Sequence, residues 1–78
     1  MTVGSWLKKA GKDLSGVDID SAQLDSQLLL SAVLYKPREY LLAHNDHELS
    51  ETELSQADKW LQRRINREPI AYILGHKE

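Results

Sequence analysis

Cysteine and phenylalanine are absent from this 78-residue sequence, and proline occurs only twice. Without cysteine, no disulfide can stabilise the fold, and the absence fits a reducing compartment. No apolar run approaches the roughly 20 residues that span a bilayer, and Lys8 and Lys9 are not followed by the apolar core of a signal peptide. We therefore predict a small cytoplasmic domain, without a membrane segment, that is stabilised by packing alone.

The charges are nearly balanced, with 10 lysines and arginines against 12 acidic residues and a net charge of −2. This balance provides no general attraction to nucleic acid or anionic lipid, so we predict no direct nucleic-acid partner. Leucine occurs thirteen times, against nine for valine, isoleucine and threonine together, which favours helix over sheet. The sequence predicts an all-α fold, a small bundle of about five helices, and a monomer.

A first helix is predicted from Thr2 to Ser15, where apolar residues recur at helical intervals. Thr2 is the predicted N-cap, and Gly16 is predicted to stop the helix. Gly11 lies inside the helix and weakens it by about 1 kcal/mol relative to alanine. The helix must therefore be stabilised by packing of its apolar face.

The central helix is predicted from Ser21 to Tyr35, after a short linker in which Asp18 or Asp20 provides the N-cap. Apolar side chains surround this helix on most sides, as expected of a helix buried by several neighbours, and Leu28 is predicted to belong to the core. Pro37 ends the helix and is predicted to open a third one that reaches His44.

The fourth helix has the best-marked start in the chain. Ser50 and Glu53 have the spacing of a capping box, and Leu49 and Leu54 that of a hydrophobic staple. A narrow apolar stripe then extends along the helix. It consists of Leu54, Ala57, Leu61 and Ile65.

A sharp corner is predicted near the end of the sequence. Pro69 has no backbone N–H, so it cannot lie inside the fourth helix and fits only the first position of a new one. One helix therefore ends near Arg67, and a short fifth helix carries Ile70, Ile73 and Leu74 on one face before Gly75 ends it.

Lys59, Arg63 and Arg67 share one face of the fourth helix, with Arg64 to one side. One interpretation is a docking stripe for an acidic surface or for phosphate. The alternative, which we favour, is a solvated face whose positive charges complement the C-terminal end of the helix dipole. A helix-turn-helix nucleic-acid binder is a third possibility, but the acidic balance of the domain argues against it.

No catalytic residues are predicted. The sequence has no pairing of nucleophile and base, no glycine-rich phosphate loop and no spaced pair of carboxylates. Asp25 and Glu68 are interpreted as single acids beside helix features that explain them. Imidazole and carboxylate groups cluster in one loop and could suggest a metal site, but a polar turn explains them better, and we predict no metal. These residues are His44, Asp46, His47 and Glu48.

The aromatic side chains are expected in the core or at its edge, because they are the largest apolar surfaces of a small domain. This expectation covers all five aromatic residues, Trp6, Tyr35, Tyr40, Trp60 and Tyr72. Among them, Trp60 and Tyr72 have a better claim to an interface than the others, since Trp60 flanks the apolar stripe and Tyr72 lies on the terminal helix.

The segment from Arg63 to Gly75 resembles the end of the N-terminal domain in the HemK (PrmC) family, which methylates a glutamine of bacterial peptide-chain release factors. Its specific part is an Arg-Arg pair followed by Glu-Pro-Ile-Ala-Tyr-Ile-Leu-Gly. The segment 25–30 is similar to the family's Asp-Ala-Glu-x-Leu-Leu, with Ser26 and Gln27 replacing alanine and glutamate. Arg67 stands where that family commonly has glycine.

The resemblance implies a helical N-terminal domain over residues 1–75, with residues 76–78 at the start of a linker to a methyltransferase domain. The family's Asn-Pro-Pro-Tyr motif and glycine-rich cofactor motif are not in this sequence. The resemblance therefore implies S-adenosylmethionine for the full-length protein and no cofactor for this segment. It also implies a release factor and the protein's own methyltransferase domain as partners.

Two roles follow from the resemblance, and the sequence does not separate them. The domain either helps to position the release factor, which we prefer, or braces the catalytic domain; an unrelated helical interaction module is a further alternative. The residues predicted to contact a partner or the following domain are Trp60, Arg63, Arg64, Arg67, Glu68, Pro69, Ile70, Tyr72 and Ile73.

Overall fold

The computed structural model describes residues 1–75, and the predicted linker start at 76–78 lies outside the described residues. The all-α prediction is confirmed. Each predicted helix is present, and the described residues form no strand. The helices are α1 (Val3–Ser15), α2 (Ala22–Leu34), α3 (Arg38–Ala43), α4 (Glu51–Ile65) and α5 (Ile70–Leu74). Within residues 1–75, none of these helices has the length and apolar character that crossing a membrane would require.

The second helix is the centre of the bundle, as predicted, because it packs against each of the other four helices. Leu29 and Leu30 on α2 are fully buried, and Leu34 is buried at its C-terminal end. Two polar residues of α2, Asp25 and Ser26, are also buried. A helix enclosed by neighbours in this way explains why its apolar residues do not keep to one stripe.

The core combines side chains from all five helices and the turns between them. Trp6 is its largest fully buried side chain, and its indole N–H donates to an oxygen of Asp58 at 2.9 Å. The other buried apolar residues are Val3, Ala10, Leu14, Ile19, Ala22, Leu29, Leu30, Leu34, Leu41, Leu49, Ala57, Leu61 and Ile73.

Leu28 and Tyr35 are predicted for the core but are not fully inside it. Leu28 is half-buried, whereas Leu29 and Leu30 are fully buried. Successive helical residues are rotated by about 100°, so three consecutive leucines cannot all face the same core. Tyr35 is 93% exposed. It is the C-cap residue of α2, and its left-handed φ of 56° ends the helix, so its side chain does not continue the buried face. Tyr40 lies at the core edge, as predicted.

The helix starts at Thr2 and Ser50 are confirmed. The Thr2 hydroxyl oxygen accepts the Ser5 N–H at 3.1 Å. The capping box is complete, since the Ser50 hydroxyl oxygen accepts the Glu53 N–H at 3.1 Å and a Glu53 carboxylate oxygen accepts the Ser50 N–H at 2.9 Å. These bonds satisfy N–H groups that the first turn of a helix otherwise leaves unpaired.

The predicted cap of α2 is wrong. Neither Asp18 nor Asp20 occupies the N-cap position, which belongs to Ser21. Asp18 instead takes the left-handed conformation, with a φ of 63°, in the turn that places Ile19 in the core. The Ser21 hydroxyl makes no cap hydrogen bond and donates to Asp25 at 2.9 Å.

The start of α1 lies very close to the loop between α3 and α4. The Gly4 N–H donates to the Asn45 carbonyl oxygen at 2.9 Å, and the Val3 N–H donates to the His47 carbonyl oxygen at 2.9 Å. A Cβ added at Gly4 would lie 3.1 Å from the Cβ of Asn45. Glycine at this position therefore allows the close contact that fixes the loop against α1.

Candidate partner-contact site at the helix corner

The corner between α4 and α5 is formed by a helix-ending turn at Arg67. Helix α4 ends at Ile65, Arg67 has a φ of 70°, and Pro69 is the N-cap residue of α5. The Glu68 N–H donates to the Arg63 carbonyl oxygen at 3.1 Å, and the Arg67 N–H donates to the Arg64 carbonyl oxygen at 2.8 Å. This pair of bonds is the Schellman motif, which ends a helix with one left-handed residue.

The side chains of Arg63 and Glu68 close the corner with a bidentate ion pair. The Arg63 Nε donates to Glu68 Oε1 at 2.8 Å, and a terminal guanidinium nitrogen donates to Oε2 at 2.7 Å. These hydrogen bonds lower the pKa of Glu68 and raise the pKa of Arg63 from their ordinary values. Both side chains remain more than a third exposed, so solvent screens the attraction.

The side chain of Arg64 joins the corner to the central helix. Its Nε donates to Asp25 Oδ2 at 2.9 Å, and a terminal nitrogen donates to the Glu68 carbonyl oxygen at 3.0 Å. The side chains of Arg64 and Asp25 are 19% and 6% exposed. Asp25 also accepts the hydroxyl hydrogen of Ser21, so this carboxylate has partners at the N-cap of α2 and on α4. Removing either charge would leave the other poorly compensated in a largely buried site.

The predicted basic stripe is not continuous, because α4 ends at Ile65 and Arg67 lies in the turn beyond it. Arg63 is paired with Glu68, and a terminal nitrogen of Arg67 donates to the carbonyl oxygen of Val17, in the turn before α2. Lys59 remains exposed on the outer face of α4. Two of the three stripe residues therefore hold the fold together, and a phosphate or an acidic partner would have to compete with these internal contacts.

The short helix α5 has one inward and one outward side. Ile73 is buried in the core, and Ile70 and Leu74 are partly buried against it. Tyr72 is 73% exposed on the opposite side, so the general expectation that the aromatic side chains lie in the core or at its edge is wrong for this residue. Pro69 is exposed, and Trp60 on α4 is partly buried against the core. Of the predicted contact residues at this tip, Tyr72 offers the largest accessible apolar surface.

The histidine-containing loop is a polar turn built on Tyr40. The Tyr40 hydroxyl lies 3.0 Å from His47 Nδ1, and the ring of His44 stacks on Tyr40 with centroids 4.1 Å apart. His47 Nε2 lies 3.9 Å from a carboxylate oxygen of Glu53. In the part of the chain that the structure describes, no group of histidine and acidic residues is arranged to hold a metal ion.

Comparison with known proteins decides the family. The family model described as the PrmC N-terminal domain matches residues 5–75. This chain belongs to that family. The match includes the whole corner and the central helix, so the resemblance based on residues 63–75 and 25–30 is confirmed.

Two similar relatives are named release factor glutamine methyltransferase. The one from Aliivibrio fischeri is 40% identical over 78 residues, which is 100% of this chain and 28% of the relative. The one from Vibrio cholerae is 42% identical over 78 residues, which is 100% of this chain and 27% of the relative. A bifunctional methyltransferase from Rickettsia felis is 47% identical over 72 residues, covering 92% of this chain and 14% of that protein. The chain thus spans less than a third of the length of these relatives. No solved structure matches it.

The two segments in which the resemblance was strongest contact each other in the structure. Asp25 begins one segment, Arg64 belongs to the other, and their ion pair joins them. Sequence reasoning treated Asp25 as a lone acid of a helix start and missed this contact. The only sequence signal for this contact was that the two segments most similar to the family contain opposite charges, an acid in one and an arginine pair in the other.

Proposed function

We propose that this chain is the non-catalytic, substrate-positioning domain of a protein-(glutamine-N5) methyltransferase that acts on the Gly-Gly-Gln glutamine of bacterial release factors. The main support is the family match over residues 5–75, together with relatives named release factor glutamine methyltransferase. The chain covers 28% and 27% of the length of two such relatives, which leaves most of each relative for methyl transfer. We also propose that the protein is monomeric and cytoplasmic.

The methyl donor is assigned to the remainder of the full-length protein. S-adenosylmethionine supplies the methyl group in this proposal, but the described residues do not fit a site for it. A nucleotide-type cofactor is commonly held by a glycine-rich loop between a strand and a helix, and residues 1–75 contain neither that strand nor that loop. No chemical step is therefore assigned to the side chains of this domain.

A separate positioning domain has a clear physical advantage. A flexible Gly-Gly-Gln loop reacts efficiently only when its glutamine is held in the right orientation at the active site. Contacts with remote parts of the release factor can supply the free energy for that ordering. A rigid bundle with a core of tryptophan and leucine side chains can hold such a contact surface at a fixed place.

Bracing of the catalytic domain is the second candidate role. It is favoured by α5, which buries Ile73 in this domain while Tyr72 is 73% exposed on the other side. A large aromatic side chain on a short terminal helix is well suited to pack against a following domain. Positioning and bracing can be separated experimentally.

The test compares the full-length enzyme with a variant that lacks residues 1–75, using two substrates. One is an intact release factor, and the other is a short peptide containing Gly-Gly-Gln. Positioning predicts that kcat/KM on the intact factor falls by at least about tenfold, equivalent to 1.4 kcal/mol, while kcat/KM on the peptide is unchanged. Bracing predicts equal losses on both substrates and a lower Tm of the remaining domain. Unchanged turnover on the intact factor would contradict the proposed function.

A further inference from the structure

The outward side of the central helix carries a short apolar stripe. The α2 stripe is formed by Leu24, Leu28, Ser31 and Tyr35. Intervals of four and three residues place the first three on one side of α2, and Tyr35 follows at the C-cap. Residues two positions apart are rotated by about 200° around a helix, so these three face away from the buried positions 22, 26 and 29. Leu24 is 42% exposed, Tyr35 is 93% exposed, and Leu28 is half-buried.

The outward side of α2 is also uncharged. Between residues 21 and 35, all within the described part of the chain, the only charged residue is Asp25, which is buried and paired with Arg64. The outward sides of the other two long helices are charged instead, with Lys8 and Lys12 exposed on α1 and Lys59 exposed on α4. Exposed apolar side chains on a surface depleted of charge are typical of the centre of a protein interface. The α2 stripe therefore has the composition of a contact surface.

Tyr35 is an unfavourable residue for the isolated domain. It takes the left-handed conformation at the C-cap of α2, with a φ of 56°, whereas the C-cap of α5 takes the same conformation with Gly75. Glycine adopts this conformation without a steric cost. At 93% exposure, the ring of Tyr35 adds little to the packing of this domain. A strained backbone at an exposed aromatic residue is the second observation that indicates a contact beyond the domain.

The chain leaves the bundle beside α2. Helix α5, the last one in the described residues, packs against α2. The corner before α5 is held to the start of α2, because Arg64 donates to Asp25 and Arg67 donates to the Val17 carbonyl oxygen in the preceding turn. Leu24 lies in the first turn of the same helix. A segment that follows α5 therefore begins near the end of the bundle where the α2 stripe starts.

In the relatives, most of the chain lies outside this domain. The matching family model describes an N-terminal domain, and this chain covers only 28% and 27% of two release factor glutamine methyltransferases. The 13 residues of α2 extend over roughly 20 Å. A domain of about 200 residues has a radius of gyration of about 16 Å, so it is wide enough to cover the whole stripe. Because such a domain is tethered at α5, a small apolar surface is enough to hold it there.

We propose that the α2 stripe docks against the domain that follows this one in the full-length protein. The inference rests on the proposed function, because a domain that positions a release factor does so only when its own orientation relative to the active site is fixed. The release factor itself is a less suitable occupant of the stripe. It must dissociate after each turnover, and transient interfaces resemble the ordinary polar surface of a protein, whereas permanent ones are more apolar.

Hydroxyl-radical footprinting read by mass spectrometry tests the docking on unsubstituted protein. It compares side-chain oxidation in the 78-residue chain with that in the full-length protein, both without release factor. Oxidation of Tyr35 is expected to be about tenfold slower in the full-length protein, which corresponds to a contact formed about 90% of the time. Leu42 on α3 is the internal control, because it is 62% exposed and lies outside the stripe. Its oxidation rate is expected to be the same in both proteins.

A double variant of the full-length protein tests whether the docking serves positioning. Leu24→Lys adds a charge to the stripe, and Tyr35→Gly removes the aromatic ring while relieving the left-handed strain, so the 78-residue chain with Tyr35→Gly is expected to melt no lower than the unsubstituted chain. The double variant is expected to lower kcat/KM on an intact release factor by about tenfold and to leave kcat/KM on a Gly-Gly-Gln peptide unchanged. Leu42→Lys/Asp18→Gly is the matched control, because Leu42 is also exposed and Asp18 also has a left-handed φ, of 63°. It is expected to change neither value.

The outcomes separate this inference from the function on which it rests. Equal oxidation of Tyr35 in the two proteins would overturn the docking of the α2 stripe. Protection that appeared only after addition of release factor would also overturn it and would retain the positioning function, because the stripe would then contact the substrate. Protection in the 78-residue chain that grew with its concentration would assign the stripe to a second copy and overturn the docking.

Two further outcomes concern the link between docking and positioning. Unchanged turnover of the Leu24→Lys/Tyr35→Gly variant on the intact factor would overturn that link. If Tyr35 were protected in the full-length protein but removal of residues 1–75 left turnover on the intact factor unchanged, the docking would be retained and the positioning function overturned.

Discussion

The guanidinium of Arg64 and the carboxylate of Asp25 form an ion pair between residues 39 positions apart, with Nε and Oδ2 separated by 2.9 Å. The pair joins the end of α4 to the start of α2 in a largely buried position. Arg64 also holds the carbonyl of Glu68, the residue before Pro69. The arginine pair of the corner therefore has a structural role, because it holds the turn that sets the direction of α5 relative to α4.

The ion pair between Arg63 and Glu68 predicts a pH-dependent stability. Hydrogen bonds from Arg63 hold the pKa of Glu68 below its ordinary value of 4.5. A carboxylate with a lowered folded-state pKa stabilises the fold above its unfolded-state pKa, and the contribution is lost as pH falls through the folded-state pKa. We expect the Tm of the unsubstituted chain to exceed that of Glu68→Gln at neutral pH. The difference should shrink as the pH falls below 4.5.

Thermal unfolding at a series of pH values measures this difference. Arg63→Gln is the control, because it removes the cause of the lowered pKa and should remove the same pH-dependent part of the stability. A difference in Tm between the unsubstituted chain and Glu68→Gln that stayed constant from neutral to strongly acidic pH would contradict the assignment.

The left-handed conformation of Arg67 predicts that glycine is preferred at this position. A side chain in that region costs roughly 1–2 kcal/mol, while glycine adopts it without the steric cost. Arg67→Gly and Arg67→Ala both lose the hydrogen bond to Val17, so their difference reports on the backbone alone. We expect Arg67→Gly to be more stable than Arg67→Ala by about 1 kcal/mol in urea unfolding. Equal stabilities would show that the turn relaxes to another conformation.

The orientation of the leucine run in α2 gives a third prediction. Leu30 is fully buried, and Leu28 is half-buried. Leu30→Ala should cost about 2–5 kcal/mol, enough to unfold much of a domain whose core supplies only about 3–5 kcal/mol. Leu28→Ala should cost clearly less, because less apolar surface is lost from the core. Equal losses of unfolding free energy in the two variants would contradict the orientation of α2, in which Leu30 faces the core and Leu28 does not fully do so.

Local patterns in the sequence were enough to predict most of the fold. The capping box at Ser50, the proline at position 69 and the glycine at position 75 mark helix ends through backbone chemistry that acts within a few residues. For that reason the five helices and the corner could be predicted without knowledge of their packing. The family resemblance at residues 63–75 depended on the same local features.

Long-range contacts could not be predicted in the same way. No local pattern indicates that Asp25 meets Arg64, because nothing near either residue specifies which distant charge packs against it. The basic stripe predicted for α4 was only partly right, because α4 ends at Ile65 and Arg67 lies beyond it in the left-handed turn. The corner brings Glu68 back to Arg63, and the turn before α2 brings Val17 to Arg67. The partners that occupy these arginines come from other parts of the fold.

A double-mutant cycle on Asp25 and Arg64 tests the central claim that the corner is held by this buried pair. The stabilities of Asp25→Ala, Arg64→Met and the double variant are measured by urea unfolding at low temperature. Each single change should be strongly destabilising, and the double variant should be more stable than the sum of the two losses predicts, with a coupling of about 1–3 kcal/mol. Losses that add to within about 0.5 kcal/mol would contradict the claim, because independent sites behave in that way.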